Sequence, residues 1–587
     1  MTAWWDASQI YGHDDVSERR VKRNPADPAK LLMQPRGGHP GAGEAQGYLP
    51  ILAPDDPGLA MWQGQEAVGF PDNFNIGLSF YHNLFVREHN LFVDAFRDSM
   101  RAVPDHDSGL RRPDAPRRPV PYGEVTDEEL YQVARLVVAA EIAKVHTIEW
   151  TTQLLYNDPL YRAMNANWAG LFEEESRLSR ISERIRRDLA RSRDPAKANL
   201  LVSLFASGSG IVGMGNRMGD STWSMDDPDD LNAGVSHFGS PFNFPEEFIT
   251  VYRLHPLMPD LIEFRRWDDD PNVIRTRVPV VETVRAGATR AMDDGGLANW
   301  ALSMGRQRLG LLQLNNHPRF LQNLAIPRLR SETGRIDVAA LDLIRDRERG
   351  VPRFNEFRRQ YGLRSFRSFD ELAGPELAPT LREIYGTHTC DSTRIITDAQ
   401  RVPWPDAVRA PGPDGRPPLI DDCLGFPNGT EVDNIEDVDA VVGWLAEVPA
   451  ERPHGFAISE TQFQVFILNA SRRLFSDRFF TSSFRPEFYS TLGYRWVMNN
   501  GPGEKQHEPG VPNGYANYEV SPLKRILLRT MPELEPQLEG VINVFDPWAR
   551  DRGEFYCIDW KPRPGAESDP AFAGWEEGPL ACSTRGS

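Results

Sequence analysis

Apolar residues recur at helical intervals along much of the chain. After Thr126 they fall at Leu130, Ala134, Val137, Val145 and Ile148. Thr126 and Glu129 have the spacing of a capping box, so the pattern predicts a helix from Thr126 to about Leu155. Between Leu136 and Val145 only Glu141 and Lys144 interrupt the apolar run, which predicts enclosure on most sides. A second helix is expected from Ser459, in capping-box register with Gln462, through FQVFILNASRRLFSDRFF. Others are expected at Gly77 to Phe96, Leu297 to Leu312 and Val338 to Arg349. Strand alternation between glycine-rich turns is scarce, and no internal repeat is found. The fold class is therefore mainly α, a single large helical domain over residues 1–587 with long irregular loops. Stretches 102–123 and 402–429, rich in Pro and Gly, and 207–244, rich in Gly, Ser, Asn and Asp, read as surface excursions from it.

Composition narrows the partners. The 587 residues are 40% hydrophobic and 26% charged, an ordinary globular balance. With 66 basic against 84 acidic residues the net charge is −18, which repels nucleic-acid phosphates and favours small or apolar ligands. Cys390, Cys423, Cys557 and Cys582 form no CxxC pair, so neither a zinc site nor a dense disulfide framework is indicated, and a reducing compartment is favoured. No apolar run approaches a membrane span, and the opening MTAWWDAS does not read as a signal peptide. A cytoplasmic or peripheral membrane location is favoured, and no obligate protein partner is evident.

Chemistry concentrates in PEEFITVYRLHPLMPD. Pro245 and two acids read as a first helical turn, and Pro256 and Pro259 limit its continuation. Tyr252 and His255, three residues apart at the helix end, would lie about 60° apart on one face, so a metal bound by the imidazole would have the phenol nearby. An axial histidine beside a redox-active tyrosine is a reasonable radical-generating pair. Taken alone, such a pair is more often packed core.

The stretch YRLHPLMPD resembles that of cyclooxygenases and α-dioxygenases, in which the tyrosine becomes the substrate-oxidising radical and the histidine is the proximal haem ligand. WWDASQIYG near the start, FYHNLFVREHN at 80–90 and RDRERGVPRFNEFRR at 345–359 match the haem peroxidase and cyclooxygenase superfamily in the same order. QYGLRSFRSFDELAG is similar to cyclooxygenases, while VVAAEIAKVHTIEWT and FAISETQFQVFILNASRRLFSDRFF resemble the fatty-acid α-dioxygenases. The resemblance runs from Trp4 to about Phe480 and is closest to the α-dioxygenases.

That resemblance implies a haem-peroxidase-like helical domain with non-covalent haem b, Tyr252 as radical site and His255 as iron ligand. Hydrogen peroxide would activate it. The tyrosyl radical would remove hydrogen from the α-carbon of a fatty acid, and O2 would add to give a 2-hydroperoxy fatty acid. His146, Thr151 and Arg473 would hold the substrate carboxylate. Arginine suits this because its planar fork binds carboxylate bidentately. From Phe463, at about 100° per residue, Phe466, Ile467, Ala470, Arg473 and Leu474 gather on one side and Arg472 falls opposite. The same geometry sets His146 and Thr151 about 140° apart on a straight helix.

Asn355 resembles the peroxidase asparagine that bonds the proximal imidazole. In WWDAS, the side chains of Thr2, Asp6 and Ser8 with the carbonyl of Trp4 would lie on one side of an extended segment, matching the superfamily's calcium loop. The family's distal histidine helix lies upstream of that loop, so it is expected to be missing here unless His13, His39 or another histidine substitutes. Two other classes compete with the α-dioxygenase: a generic haem peroxidase using hydrogen peroxide, and a non-catalytic haem- or lipid-binding relative. A peroxidase needs neither a radical tyrosine nor a buried carboxylate anchor.

Overall fold

In a computed structural model of the chain, residues 4–155, 246–325, 334–390, 426–448 and 458–555 are described, apart from a few positions inside those ranges. The described helices of six residues or more are α1 (Ile76–Ala102), α2 (Asp127–Val145), α3 (Glu246–Val251), α4 (Ala286–Gly295), α5 (Leu297–Gly305) and α6 (Val338–Glu348). They continue with α7 (Phe354–Gln360), α8 (Phe369–Tyr385), α9 (Ala440–Ala446), α10 (Glu460–Ser476), α11 (Pro486–Asn499) and α12 (Pro522–Thr530). Described strands form only four two-stranded antiparallel sheets. The protein is mainly α, as the periodicity predicts.

Local signals account for several helix starts. The Thr126 hydroxyl accepts the Glu129 N–H while the Glu129 carboxylate accepts the Thr126 N–H, closing the predicted box. At Ser459 only half the box forms: its hydroxyl accepts the Gln462 N–H, but the Gln462 amide donates to the Val251 carbonyl instead. Helix α5 stops at Gly305, short of Leu312, because Arg306 leaves helical dihedrals.

The chain sorts into two compact units. The first comprises Met1–Asn243, Leu261–Arg308 and Ala470–Ser587; the second comprises Phe244–Asp260 and Leu309–Asn469. Of the expected excursions, 102–123 is turn-rich, with isolated pairings Asp107↔Pro121 and Arg112↔Ala115. The stretch 207–244, and 402–429 up to residue 425, lie outside the described residues. Among the described residues no helix is long and apolar enough to cross a membrane.

In the first unit, α1, α2, α11 and α12 enclose a core that includes Leu84, Phe92, Val137, Ala140, Trp496 and Ile526. A Cβ on Gly493 would stand 2.8 Å from Val137 Cγ2, so only glycine permits this approach of α11 to α2. The two charges that interrupt α2 are buried and engaged. Lys144 donates to the Val497 and Met498 carbonyls at 2.7 and 3.0 Å, satisfying the end of α11. Burial pushes its pKa down to about 7. Glu141 stands 3.5 Å from Arg529, which also bonds Glu88 at 2.6 Å; the Trp496 indole donates to Glu88 at 2.7 Å. Burial, then the Glu88 charge, raises the Glu141 pKa well above the carboxylate range.

In the second unit, Phe354, Phe357, Phe369, Leu372, Trp444 and Val465 belong to a separate core. Gly443 lies so close to the Phe354 ring that a Cβ would meet it at 2.0 Å. The buried Arg358 donates to Glu447 at 2.8 Å, Thr461 at 2.6 Å and Glu460 at 2.7 Å. Removing either partner from such a buried pair costs about 3–5 kcal/mol, because the other charge is stranded.

Candidate active site

The helix before Tyr252 ends at Val251, so Tyr252 and His255 do not share a helix face as expected. Continuing the helix would require an N–H at residue 256 to meet the Tyr252 carbonyl, and Pro256 has none. That carbonyl takes the Leu254 N–H at 3.0 Å instead. His255 then opens a separate 3-10 turn, His255–Leu257.

Tyr252 packs in a cluster of near-parallel rings, with Phe248 at 4.9 Å and Phe466 at 5.8 Å between centroids, interplanar angles of 20° and 6°, and the two phenylalanines 6.3 Å from each other. Although 38% of the residue is exposed, burial around its hydroxyl pushes the phenol pKa up to about 12. At neutral pH it is a phenol, with a hydrogen to give.

His255 Nδ1 lies 3.0 Å from Asp342 Oδ2. The carboxylate favours the tautomer with hydrogen on Nδ1, which leaves the Nε2 lone pair for a metal. Nε2 makes no hydrogen bond among the described residues, and 31% of the side chain is exposed, so the donor fits haem iron. The support is rigid: Arg253 NH1 donates to the Asp342 carbonyl and to Asp346 Oδ1, both at 2.7 Å, and Thr250 donates to Asp346 at 3.0 Å. Burial lifts the Asp346 pKa to about 6 against the pull of Arg253.

The hydrogen bonds of Asn355 go elsewhere. Its amide donates to the Phe366 carbonyl at 2.9 Å and Glu436 at 2.8 Å, and its oxygen accepts the Phe366 N–H at 2.8 Å. With these bonds the side chain pins the chain after α7, and the group beside His255 is Asp342. Reading the sequence missed Asp342. Its signal was the pair Asp342 and Asp346, four residues apart on one face of α6, both buried.

In the first unit, α2 does not run straight to Leu155. It gives way at His146 to a π turn, His146–Trp150, whose closing bond runs from the Thr151 N–H to the His146 carbonyl five residues back. The expected 140° separation therefore does not arise, and Thr151 Oγ1 lies 3.4 Å from His146 Nδ1. His146 is flanked by Trp5 at 4.5 Å and Trp150 at 4.7 Å between ring centroids. Burial pushes its pKa down to about 4, so the imidazole is neutral and can donate and accept hydrogen bonds. Thr151 is fully buried.

Arg473 lies in the same unit, 3% exposed, with Phe466, Ala470 and Leu474 of the predicted face also buried. The side chains of Ile467 and Arg472 lie outside those described. Burial lowers the Arg473 pKa, but a guanidinium stays charged at any physiological pH. A buried cation and a neutral imidazole with a hydroxyl are apt partners for a carboxylate.

Thr2 lies outside the described residues. The segment after it is not extended: Asp6 Oδ1 accepts the Ser8 N–H at 2.9 Å, Ala7 takes φ 52°, and Ser8 opens a one-turn helix, Ser8–Tyr11. This aspartate turn replaces the alternating oxygens expected of Trp4, Asp6 and Ser8. Asp477 lies near enough to feel the Asp6 charge, which adds to burial in lifting its pKa to about 7. Near the start, His13 stands 3.6 Å from Asp14 and the His39 ring meets the Asp293 carbonyl.

A family model described as animal haem peroxidase matches residues 1–205 and 232–392. Alpha-dioxygenase PIOX of Oryza sativa subsp. japonica is 31% identical over 505 residues, covering 84% of this chain and 60% of the relative. Alpha-dioxygenase 2 of Arabidopsis thaliana is 30% identical over 558 residues, covering 94% of this chain and 65% of the relative. The chain thus spans 60–65% of the length of these relatives. Among solved structures, a variant of Oryza sativa fatty acid alpha-dioxygenase with palmitic acid is similar with a TM-score of 0.57 and 26% identity, covering 93% of this chain and 66% of that one. With the family matched over more than half of its length, the chain belongs to the animal haem peroxidases.

Proposed function

We propose that this protein is a haem-dependent fatty-acid α-dioxygenase, adding O2 at C2 of a fatty acid to give the 2-hydroperoxy acid. The observation that carries this is the pairing of half-buried His146 with fully buried Thr151, in a chain 31% identical to an alpha-dioxygenase. Peroxide-dependent oxidation of small donors would need no such anchor. Arg473 supplies the charge for the carboxylate, and His146 and Thr151 supply hydrogen bonds.

Tyr252 carries the hydrogen transfers. Its phenoxyl radical takes a hydrogen atom from the α-carbon, breaking C–H and forming O–H. Dioxygen adds to the carbon radical, and the resulting peroxyl group takes the hydrogen back from Tyr252. The radical is restored and one O2 is consumed for each hydroperoxide. Haem held by His255, when bound, supplies the one-electron oxidation that primes the tyrosine, with a peroxide as oxidant. Calcium belongs to the same family pattern, on Thr2, Trp4, Asp6 and Ser8. The described members do not fit a calcium cage as they stand, since Asp6 is engaged by the Ser8 N–H and no group of three His, Cys, Asp or Glu side chains converges among the described residues.

An oxygen-electrode assay of haem-loaded protein with palmitic acid, followed by product identification, tests the activity. Oxygen uptake with a C2 hydroperoxide is expected. Peroxide-dependent dye oxidation without uptake of oxygen would identify a peroxidase instead.

A further inference from the structure

A π turn is rare and departs from the α-helical ladder, so it needs support from outside that ladder. Around His146–Trp150 side chains supply it. The Thr152 hydroxyl lies 2.6 Å from the Ile148 carbonyl and 3.1 Å from that of Glu149, within reach of both with a single hydrogen. Asn543 Nδ2 donates to the Glu149 carbonyl at 3.3 Å. The loop carrying Asn543 also reaches the residue after Thr152: Gln153 donates to Asp546 at 3.0 Å. From the other side Glu149 accepts the Leu523 N–H at 2.8 Å, binding the turn to the start of α12. Thr152 is 2% exposed, Asn543 6% and Asp546 5%, so water cannot readily replace these donors.

The turn sets the geometry of the site. With α-helical bonding His146 and Thr151 would diverge by about 140°; with the five-residue bond they stack, and the hydroxyl reaches the imidazole. We propose that Thr152 and Asn543 are positioning residues of the acid-binding end, holding the π turn that keeps His146 and Thr151 on one carboxylate. This rests on the proposed assignment of that pair to the substrate carboxylate.

The test is binding of palmitic acid and of its methyl ester to the full chain, by calorimetric titration or displacement of a fluorescent fatty acid. Thr152→Val keeps the β-branched shape and removes the hydroxyl; Asn543→Ala removes the amide; deletion of Ile148 shortens the π turn to α-helical register. Each should weaken the acid about tenfold while leaving the ester unchanged, so the preference for acid over ester collapses. Uniform weakening of acid and ester, or an unchanged preference in folded Thr152→Val and the deletion variant, would overturn the inference. Should Asn543→Ala fail to fold, the other two decide. His146→Ala and Thr151→Val are the separate control: if they leave the preference intact, it is the carboxylate assignment that fails.

Discussion

Nδ1 of His255 and Oδ2 of Asp342 stand 3.0 Å apart, with the carboxylate braced by Arg253. A carboxylate so close to that nitrogen favours the tautomer with hydrogen on Nδ1 and leaves Nε2 for a metal. Asp342→Ala is expected to weaken haem binding roughly ten- to hundred-fold, measured by titration at the Soret band, and His255→Ala to abolish the band of histidine-ligated haem. Undiminished affinity in the first variant would remove Asp342 from the site; an unchanged spectrum in the second would remove His255.

Tyr252→Phe should leave haem binding intact and stop oxygen uptake. Phenylalanine can keep the stack on Phe248 and Phe466 but has no hydroxyl hydrogen to exchange with the substrate. Continued oxygenation of palmitic acid by this variant would exclude the tyrosyl route.

Arg473→Ala should raise the apparent constant for the fatty acid roughly ten- to hundred-fold, the worth of a charged hydrogen bond of about 1.5–3 kcal/mol. Arg472→Ala, which helical spacing from Phe463 expects opposite, should change it little. Equal small effects in steady-state kinetics would show that the carboxylate binds elsewhere.

Glu149 predicts a pH dependence. Burial raises its pKa from 4.5 to about 7. Its stabilising contribution is therefore complete below the unfolded value and is lost as pH rises through about 7. Glu149→Gln, neutral throughout, escapes that loss. The variant's Tm relative to the parent should climb between about pH 4.5 and 7, with a span of up to roughly 3 kcal/mol. A difference flat with pH would show that the carboxyl is not perturbed.

Legibility in the sequence followed the range of the interactions. The Thr126 box, the start of α1 and the limits of α6 were readable because their determinants lie within a turn or two, whereas α1 runs past the expected Phe96 to Ala102. The burial of Arg473 followed its helical face, but the break after Val251, which parts Tyr252 from His255, turns on one missing N–H at Pro256. The π turn was not legible at all, since its donors come from Asn543 and its anchor from Leu523, nearly four hundred residues away in the chain. The amide of Asn355 likewise answers to Glu436. Two charged residues of the matched motifs serve as braces: Glu88 of FYHNLFVREHN ties Arg529 to Trp496, and Arg358 of RFNEFRR ties Glu447 to Thr461.

Among the described residues the rings against Tyr252 are phenylalanines, and a benzene ring does not surrender an electron to a phenoxyl radical. Under the proposed tyrosyl mechanism these contacts would act as insulation, where a tyrosine or tryptophan in the same place would conduct the oxidising equivalent away. Substituting tyrosine for Phe466 would then open such a leak, and the protein would spend its oxidising power on itself.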